Sequence, residues 1–381
     1  METTMSSRLR SSIFYPRSIL VRGTNWLGDA VLATPALLRL REKFSDARIA
    51  LLTPGKLRDL WMGHSALDET ITFAPGESIF AVGRKLRRQF DLALVLPNSP
   101  RSAIEMWLAG IPQRIGYARP WRNFFLTQAV PPRIDAVKMR KRSVAEIQRL
   151  VANDKIGNRQ SAIGNPLARQ IHEYLHLAAA VGANPEPLPP QLSTSSVDVD
   201  AARKKFGLAN LAQPLFGLNP GAEYGPAKRW PVERFIAAAQ EIQKRTSCVW
   251  LLFGGKGDAA VTSQITSAFS PASDVGVRDL AGQTSLRELM ALLKLCRVLL
   301  TNDSGPMHVA AALGTPVVAL FGSTSPELTG PGLPGDPRHR LLKSDAPCSP
   351  CFLRECPIDF RCMKGISVER VVEAVVKAVQ V

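Results

Sequence analysis

Ser18-Ile-Leu-Val-Arg22-Gly23, continuing Thr24-Asn-Trp-Leu-Gly-Asp29, is the stretch whose reading decides the fold class. A short apolar run ends in glycine, a polar turn follows, and an apolar-periodic segment then continues to Phe44. The pattern predicts strand, tight turn, helix. Working outward, strands are expected at Arg48–Thr53 and Asp91–Pro97, with a long helical pattern near Ala168–Val181. Strands that alternate with helices imply a parallel sheet covered on both faces, an α/β architecture.

Residues 183–214 break the pattern. Pro185, Pro187, Pro189 and Pro190 crowd together, Ser and Thr follow, and no long apolar run intervenes, as in a linker. The alternation then restarts with strands at Leu215–Leu218, Cys248–Phe253, Val298–Thr301 and Val317–Phe321. Helices are expected at Trp230–Arg245 and Ser367–Val379. The predicted organisation is a disordered lead over 1–17, a first α/β domain over 18–184, a linker over 185–213 and a second α/β domain over 214–381. Two such domains facing each other across a cleft turn their strand-end loops toward a shared ligand.

The 381 residues are 45% hydrophobic and 21% charged with mean hydropathy near zero, which excludes disorder, collagen and a disulfide miniprotein. Net charge is +16, unevenly spread. Residues 1–190 hold 27 basic and 15 acidic residues, net +12; residues 191–381 hold 21 and 17, net +4. The first half is therefore expected to meet a polyanion: nucleic acid, an anionic membrane or a phosphorylated substrate. A solvated basic face is the alternative. No stretch approaches the ~18 apolar residues of a membrane span. Tyr15-Pro-Arg17 interrupts any signal-peptide core, so a cytoplasmic location is expected.

Three motifs carry candidate chemistry. Asn25-Trp-Leu-Gly-Asp29 puts a carboxylate at a helix start; Asp29 is either a dipole partner or a general base. Asn219-Pro-Gly-Ala-Glu-Tyr-Gly-Pro-Ala-Lys228-Arg-Trp-Pro231 is a glycine-rich loop at a strand end. It suits a phosphate group with Lys228 as point charge, or it is a surface loop with a solvated lysine. Asn302-Asp303-Ser304-Gly305-Pro-Met-His308 opens a small-residue helix whose N-terminus suits an anion. There Asp303 is placed for a sugar hydroxyl, and His308 is either structural or a ligand neighbour. Asp258, after Gly254-Gly-Lys-Gly, is a weaker candidate for a ribose. Asp198-Val-Asp200 resembles a metal-binding pair, but its position before Ala201-Ala-Arg predicts helix capping. Cys348, Cys351, Cys356 and Cys362 have spacings compatible with zinc or with buried free thiols, and no metal is assigned.

Trp-Leu-Gly-Asp29, Asn-Pro-Gly-Ala…Lys228-Arg-Trp-Pro, Asn-Asp303-Ser-Gly-Pro-Met-His308 and Cys348-Ser-Pro-Cys351…Cys356-Pro…Cys362-Met occur in this order from about Ser18 to the C-terminus. Together they resemble the bacterial lipopolysaccharide heptosyltransferases, with the heptosyltransferase II type as the nearest likeness. The resemblance implies a GT-B fold: two Rossmann-like domains facing each other across a cleft. It implies an inverting transfer of L-glycero-D-manno-heptose from ADP-heptose to the lipid A-linked inner core, with no metal or other cofactor and no nucleic-acid partner. Asp29 would be the base, Lys228 the leaving-group cation, and Asp303, Ser304, Gly305 and His308 donor-binding; Gly254-Gly-Lys-Gly departs from the family's pattern, so Asp258 rests on its own loop alone as a donor candidate. Lys56, Arg58, Asn98, Ser99 and Arg101 follow first-domain strand ends and are the acceptor candidates. The runs Arg84-Lys-Leu-Arg87-Arg88 and Lys138-Met-Arg140-Lys-Arg142 would meet the acidic acceptor and the inner leaflet, where the protein would be peripheral. A GT-B enzyme of other specificity and a basic nucleic-acid-binding protein are the competing readings.

Overall fold

The computed structural model describes residues 15–137, 139–153, 168–269 and 276–380. The expected lead falls mostly outside these; of its end, Tyr15 stacks edge-on against Phe44 at 5.3 Å and donates to the Lys43 carbonyl.

The first sheet contains β1 Ser18–Arg22, β2 Arg48–Pro54, β3 Glu69–Phe73, β4 Leu92–Val95, β5 Gln113–Tyr117 and β6 Gln128–Val130. The second contains β7 Leu215–Asn219, β8 Val249–Leu252, β9 Val277–Asp279, β10 Leu299–Asn302, β11 Val317–Phe321 and β12 His339–Lys343. Their spatial orders are β3-β2-β1-β4-β5-β6 and β12-β11-β10-β7-β8-β9, so read from either lobe's first strand the two topologies coincide. Every pairing is parallel. The order reverses between β1 and β4 in the front lobe and between β7 and β10 in the rear one, and a doubly wound sheet opens its ligand crevice at that point.

The strands read from sequence are the central ones. Ile19, Leu20 and Val21 of β1 are fully buried because helices cover both faces, which makes the run continuously apolar. The strands that escaped the reading include all four sheet edges. Glu69-Thr-Ile-Thr-Phe73 and Val277-Arg-Asp279 are half-buried throughout, so they lack the continuous apolar run of the central strands.

Between the lobes, Ser195 begins the Ser196–Lys205 helix with a capping box closed by Asp198, as the capping expectation required. Asp198 also receives Arg287 at 2.7 Å, which ties this helix to the rear lobe. One apolar core runs continuously from the front lobe, through Leu37 and Leu51, into the rear lobe at Met307 and Val309. The helix starts Leu27–Leu32 and Gly305–Ala312 meet where the lobes touch. A Cβ on Gly28 would lie 2.9 Å from the His308 ring, and one on Gly305 would lie 3.0 Å from Leu27. Two glycines thus let the two strand-end loops approach each other.

Candidate active site at the lobe junction

All three motifs sit at the two topological switch points. The Gly23–Asp29 turn follows β1, the Pro220–Lys228 loop follows β7, and Asp303-Ser304 follows β10. Asp29, in the first turn of its helix, is half-buried beside the rear lobe. Burial lifts its carboxyl to about 6; the Gln170 side chain, through a hydrogen bond, and the Lys228 charge offset part of that rise. Gln170 also donates to the Tyr174 hydroxyl at 2.9 Å. Its backbone N–H reaches the Leu328 carbonyl of the rear lobe. The neighbouring Arg169, only 4% exposed, donates to the carbonyls of Pro331 and Gly332. Arg169 and Gln170 therefore stitch the Asp29 side of the junction to the rear lobe. Neither was read from sequence, because a polar pair before an apolar helix carries no local mark of a partner 157 or more residues away.

On the opposite side Lys228 lies 2.7 Å from Asp303 and 4.9 Å above the Tyr224 ring. The same Asp303 oxygen accepts from Thr324 at 2.6 Å and Thr329 at 3.1 Å. Asp303 is 4% exposed, and its carboxylate anchors Lys228 from within the rear lobe. Three donors on one oxygen satisfy it internally. Asn302 receives the Trp230 N–H and donates to the Pro220 carbonyl, closing the glycine-rich loop over β10. Ser304 hydrogen-bonds Thr301 and Asn219 through its hydroxyl and does not cap its helix. The start of Gly305–Ala312 thus has no side-chain cap, and a helix N-terminus of this kind suits an anion. His308 is buried and pushed down to about 4, mainly by that burial, so it stands here as a neutral ring beneath Gly28.

The glycine-rich loop is also held from behind. Ala227 N–H bonds the Arg354 carbonyl at 2.9 Å, and the Tyr224 hydroxyl donates to the Phe352 carbonyl at 2.8 Å. Gly225 adopts φ +151°, and a Cβ there would meet the Arg354 carbonyl oxygen at 2.5 Å. Gly225→Ala is therefore expected to leave the lobes folded but displace Lys228, weakening donor binding by about tenfold or more, read by calorimetry. An unchanged donor affinity would show that this backbone contact does not control the lysine.

Asp258 sits between two strand-end loops. It accepts from Gly255 N–H at 3.0 Å, lies 3.6 Å from Arg229 and fills the space a Cβ on Gly221 would need. It braces the two loops against each other. The acceptor set also divides. Lys56 is exposed at the junction, 5.6 Å above the Trp26 ring and 3.9 Å from Glu223 of the rear lobe. Asn98 is exposed beside the buried Arg122. Arg58 instead borders a depression with Asp68 and Glu69, where β3 begins, at the opposite strand end from Asp29. Ser99 caps the Pro100–Leu108 helix. Arg101 is bound to the buried Glu105, which also holds Arg22. Ser99 and Arg101 have structural partners and the exposed Arg58 lies away from the junction, because a strand-end position fixes the backbone, not the direction of a side chain.

Of the second basic run, Lys138 lies outside the described residues. Arg140 pairs with Glu146, and Arg142 donates to the Pro347 carbonyl, so the run secures the Val144–Ala152 helix to the cysteine loop. The six cysteines are free. Burial, reinforced by the neighbouring thiols, pushes Cys362 up to about 12. Among the described residues no group of three or more His, Cys, Asp or Glu is arranged to hold a metal.

A model of glycosyltransferase family 9 (heptosyltransferase) matches residues 79–360. Lipooligosaccharide heptosyltransferase 2 of Haemophilus ducreyi is 32% identical over 82% of this chain and 85% of its own. Lipopolysaccharide heptosyltransferase 2 of Escherichia coli K12 is 32% identical with the same coverage. Among solved structures, ADP-heptose LPS heptosyltransferase II of E. coli superposes with TM-score 0.76 at 28% identity, covering 95% of this chain and 98% of that one. A family 9 glycosyltransferase from Veillonella parvula, 21% identical with TM-score 0.74, covers 97% of this chain and 98% of its own and shares the fold.

Proposed function

The chain belongs to glycosyltransferase family 9, and from that premise we propose that it transfers L-glycero-D-manno-heptose from ADP-heptose to the lipid A-linked inner core of lipopolysaccharide. The observation that carries the mechanism is the packing of the Leu27–Leu32 helix, which bears Asp29, on the Gly305–Ala312 helix across the lobe junction, with Asp29 near enough to Lys228 to feel its charge. The acceptor hydroxyl loses its proton to the Asp29 carboxylate while its oxygen bonds the anomeric carbon. The bond from that carbon to the diphosphate breaks, and ADP leaves with the electron pair. Lys228 and the helix N–H groups stabilise the departing charge without a divalent cation. One base and no nucleophile give a single displacement, hence inversion. The acidic, lipid-anchored acceptor accounts for the positive front half and for peripheral work at the inner face of the inner membrane; among the described residues no helix is long and apolar enough to cross it.

Titration calorimetry with ADP-heptose against UDP- and GDP-sugars tests the donor, and product analysis in EDTA tests the reaction. Binding selective for the adenosine nucleotide, and transfer that persists in EDTA, are expected. An absolute requirement for a divalent cation, or preference for a uridine donor, would overturn the reading.

A further inference from the structure

The front lobe carries a surface that this chemistry does not use. The helices Ile79–Lys85 and Pro100–Leu108 and the turn Asn123–Phe125 cover one face of the first sheet through Val82, Leu86, Ala103, Met106 and Phe125. Away from that layer Phe80 is 64% exposed, Trp107 46%, Trp121 89% and Phe124 84%. Trp107 and Phe124 both lie edge-on to Phe125, at 5.6 and 5.5 Å, so they belong to one patch. The patch reaches the junction rim, because Arg122, next to Trp121, bonds the Pro97 carbonyl after β4.

Its charge is one-sided. Residues 78–127 contain eight Lys or Arg and two Asp or Glu. Both acids are taken: Asp91 accepts the backbone N–H groups of Arg17 and Ser18 at 2.9 Å, and Glu105 is fully buried between Arg22 and Arg101. Glu77, just before this segment, is held by Lys85 at 3.0 Å. Arg84, Arg87 and Arg88 are exposed and, among the described residues, make no ion pair. A second copy of the chain would set these arginines against themselves. Exposed aromatics on the same layer as exposed arginines, with Arg88 N–H on the Ala109 carbonyl just past Trp107, match the boundary of an anionic bilayer, where indole rings settle at headgroup depth and guanidinium groups meet phosphate.

We propose that this face docks the protein on an anionic lipid surface, with Arg84, Arg87 and Arg88 on the headgroups and Phe80, Trp107, Trp121 and Phe124 in the interface. The inference rests on the reading above in one respect, that a lipid-anchored acceptor presents such a surface; its test does not use heptose transfer. In co-sedimentation with phosphatidylcholine vesicles holding about 30% phosphatidylglycerol, the full chain is expected to bind and to release in high salt. Arg84→Glu/Arg87→Glu and, separately, Trp121→Ser/Phe124→Ser are each expected to weaken binding by about tenfold or more. These exposed side chains can change without loss of fold, which melting curves verify. Absence of binding to the anionic vesicles, or undiminished binding by both variants, overturns the proposal. So does tighter binding to a single-stranded oligonucleotide that ignores the Trp121→Ser/Phe124→Ser change. On a delipidated acceptor that variant is expected to transfer at the wild-type rate; a loss there would make the patch part of the acceptor site and overturn docking. Vesicle binding by a protein that transfers no heptose would sustain docking and count only against the function above.

Discussion

Asp29→Asn is expected to lower kcat by on the order of 10³-fold or more while donor affinity stays near wild type, since a missing general base typically costs 10²–10⁴. The amide has the carboxylate's shape and still accepts from Gln170, so packing against the rear lobe is kept. What it lacks is a proton acceptor. The wild-type pH profile carries the same information. Burial raises the Asp29 carboxyl to about 6, so the base is active above that pH and the rate falls as pH drops through it. A solvated aspartate would place the acid limb near pH ~4. The sign for stability is opposite to the usual carboxylate case. A folded-state value above the unfolded one means the folded protein binds the proton more tightly, so this group's contribution improves as pH falls through about 6. Asp29→Asn, neutral throughout, is accordingly expected to melt at or above wild type at pH 8. Retained turnover, or an acid limb near pH ~4, removes Asp29 from the base role.

Lys228→Ala is expected to damage both binding and fold. In the proposed reaction its ammonium meets the departing diphosphate, and losing such a preorganised charge typically costs about 10²–10³ in kcat. It also leaves Asp303, 4% exposed, with only the Thr324 and Thr329 hydroxyls as partners. Stranding one member of a buried pair costs about 3–5 kcal/mol. The double variant Lys228→Ala/Asp303→Asn separates the two effects. Neutralising the stranded carboxylate should recover much of the melting temperature and none of the transfer rate. Recovery of both would mean that Lys228 serves the fold alone.

The two strand-rich halves were legible because buried central strands must be continuously apolar and their loops must contain glycine. Asp29, Lys228 and the Asp303–His308 turn were legible for a related reason: phosphate and sugar chemistry needs charge beside open backbone N–H groups. The fold places them at matching switch points. What each polar side chain touches was not legible. Arg101 lies one helical turn before Glu105, so that pair is local, but Arg22, which shares the carboxylate, comes from a strand 83 residues away. Asp258 looked free because Gly221 and Arg229, its neighbours in space, belong to a different strand-end loop.

The chain alone thus determined its two α/β halves, its excess of positive charge toward the front and the short motifs that carry acid, cation and anion-binding turn. Only the tertiary structure decided which carboxylate faces the junction and which is an anchor, and it added Arg169, Gln170, Thr324 and Thr329 as the parts that hold them. The physical reason is range: backbone pattern and glycine placement act over a few residues, whereas a buried charge takes its partner from whatever chain end folding brings within about 3 Å.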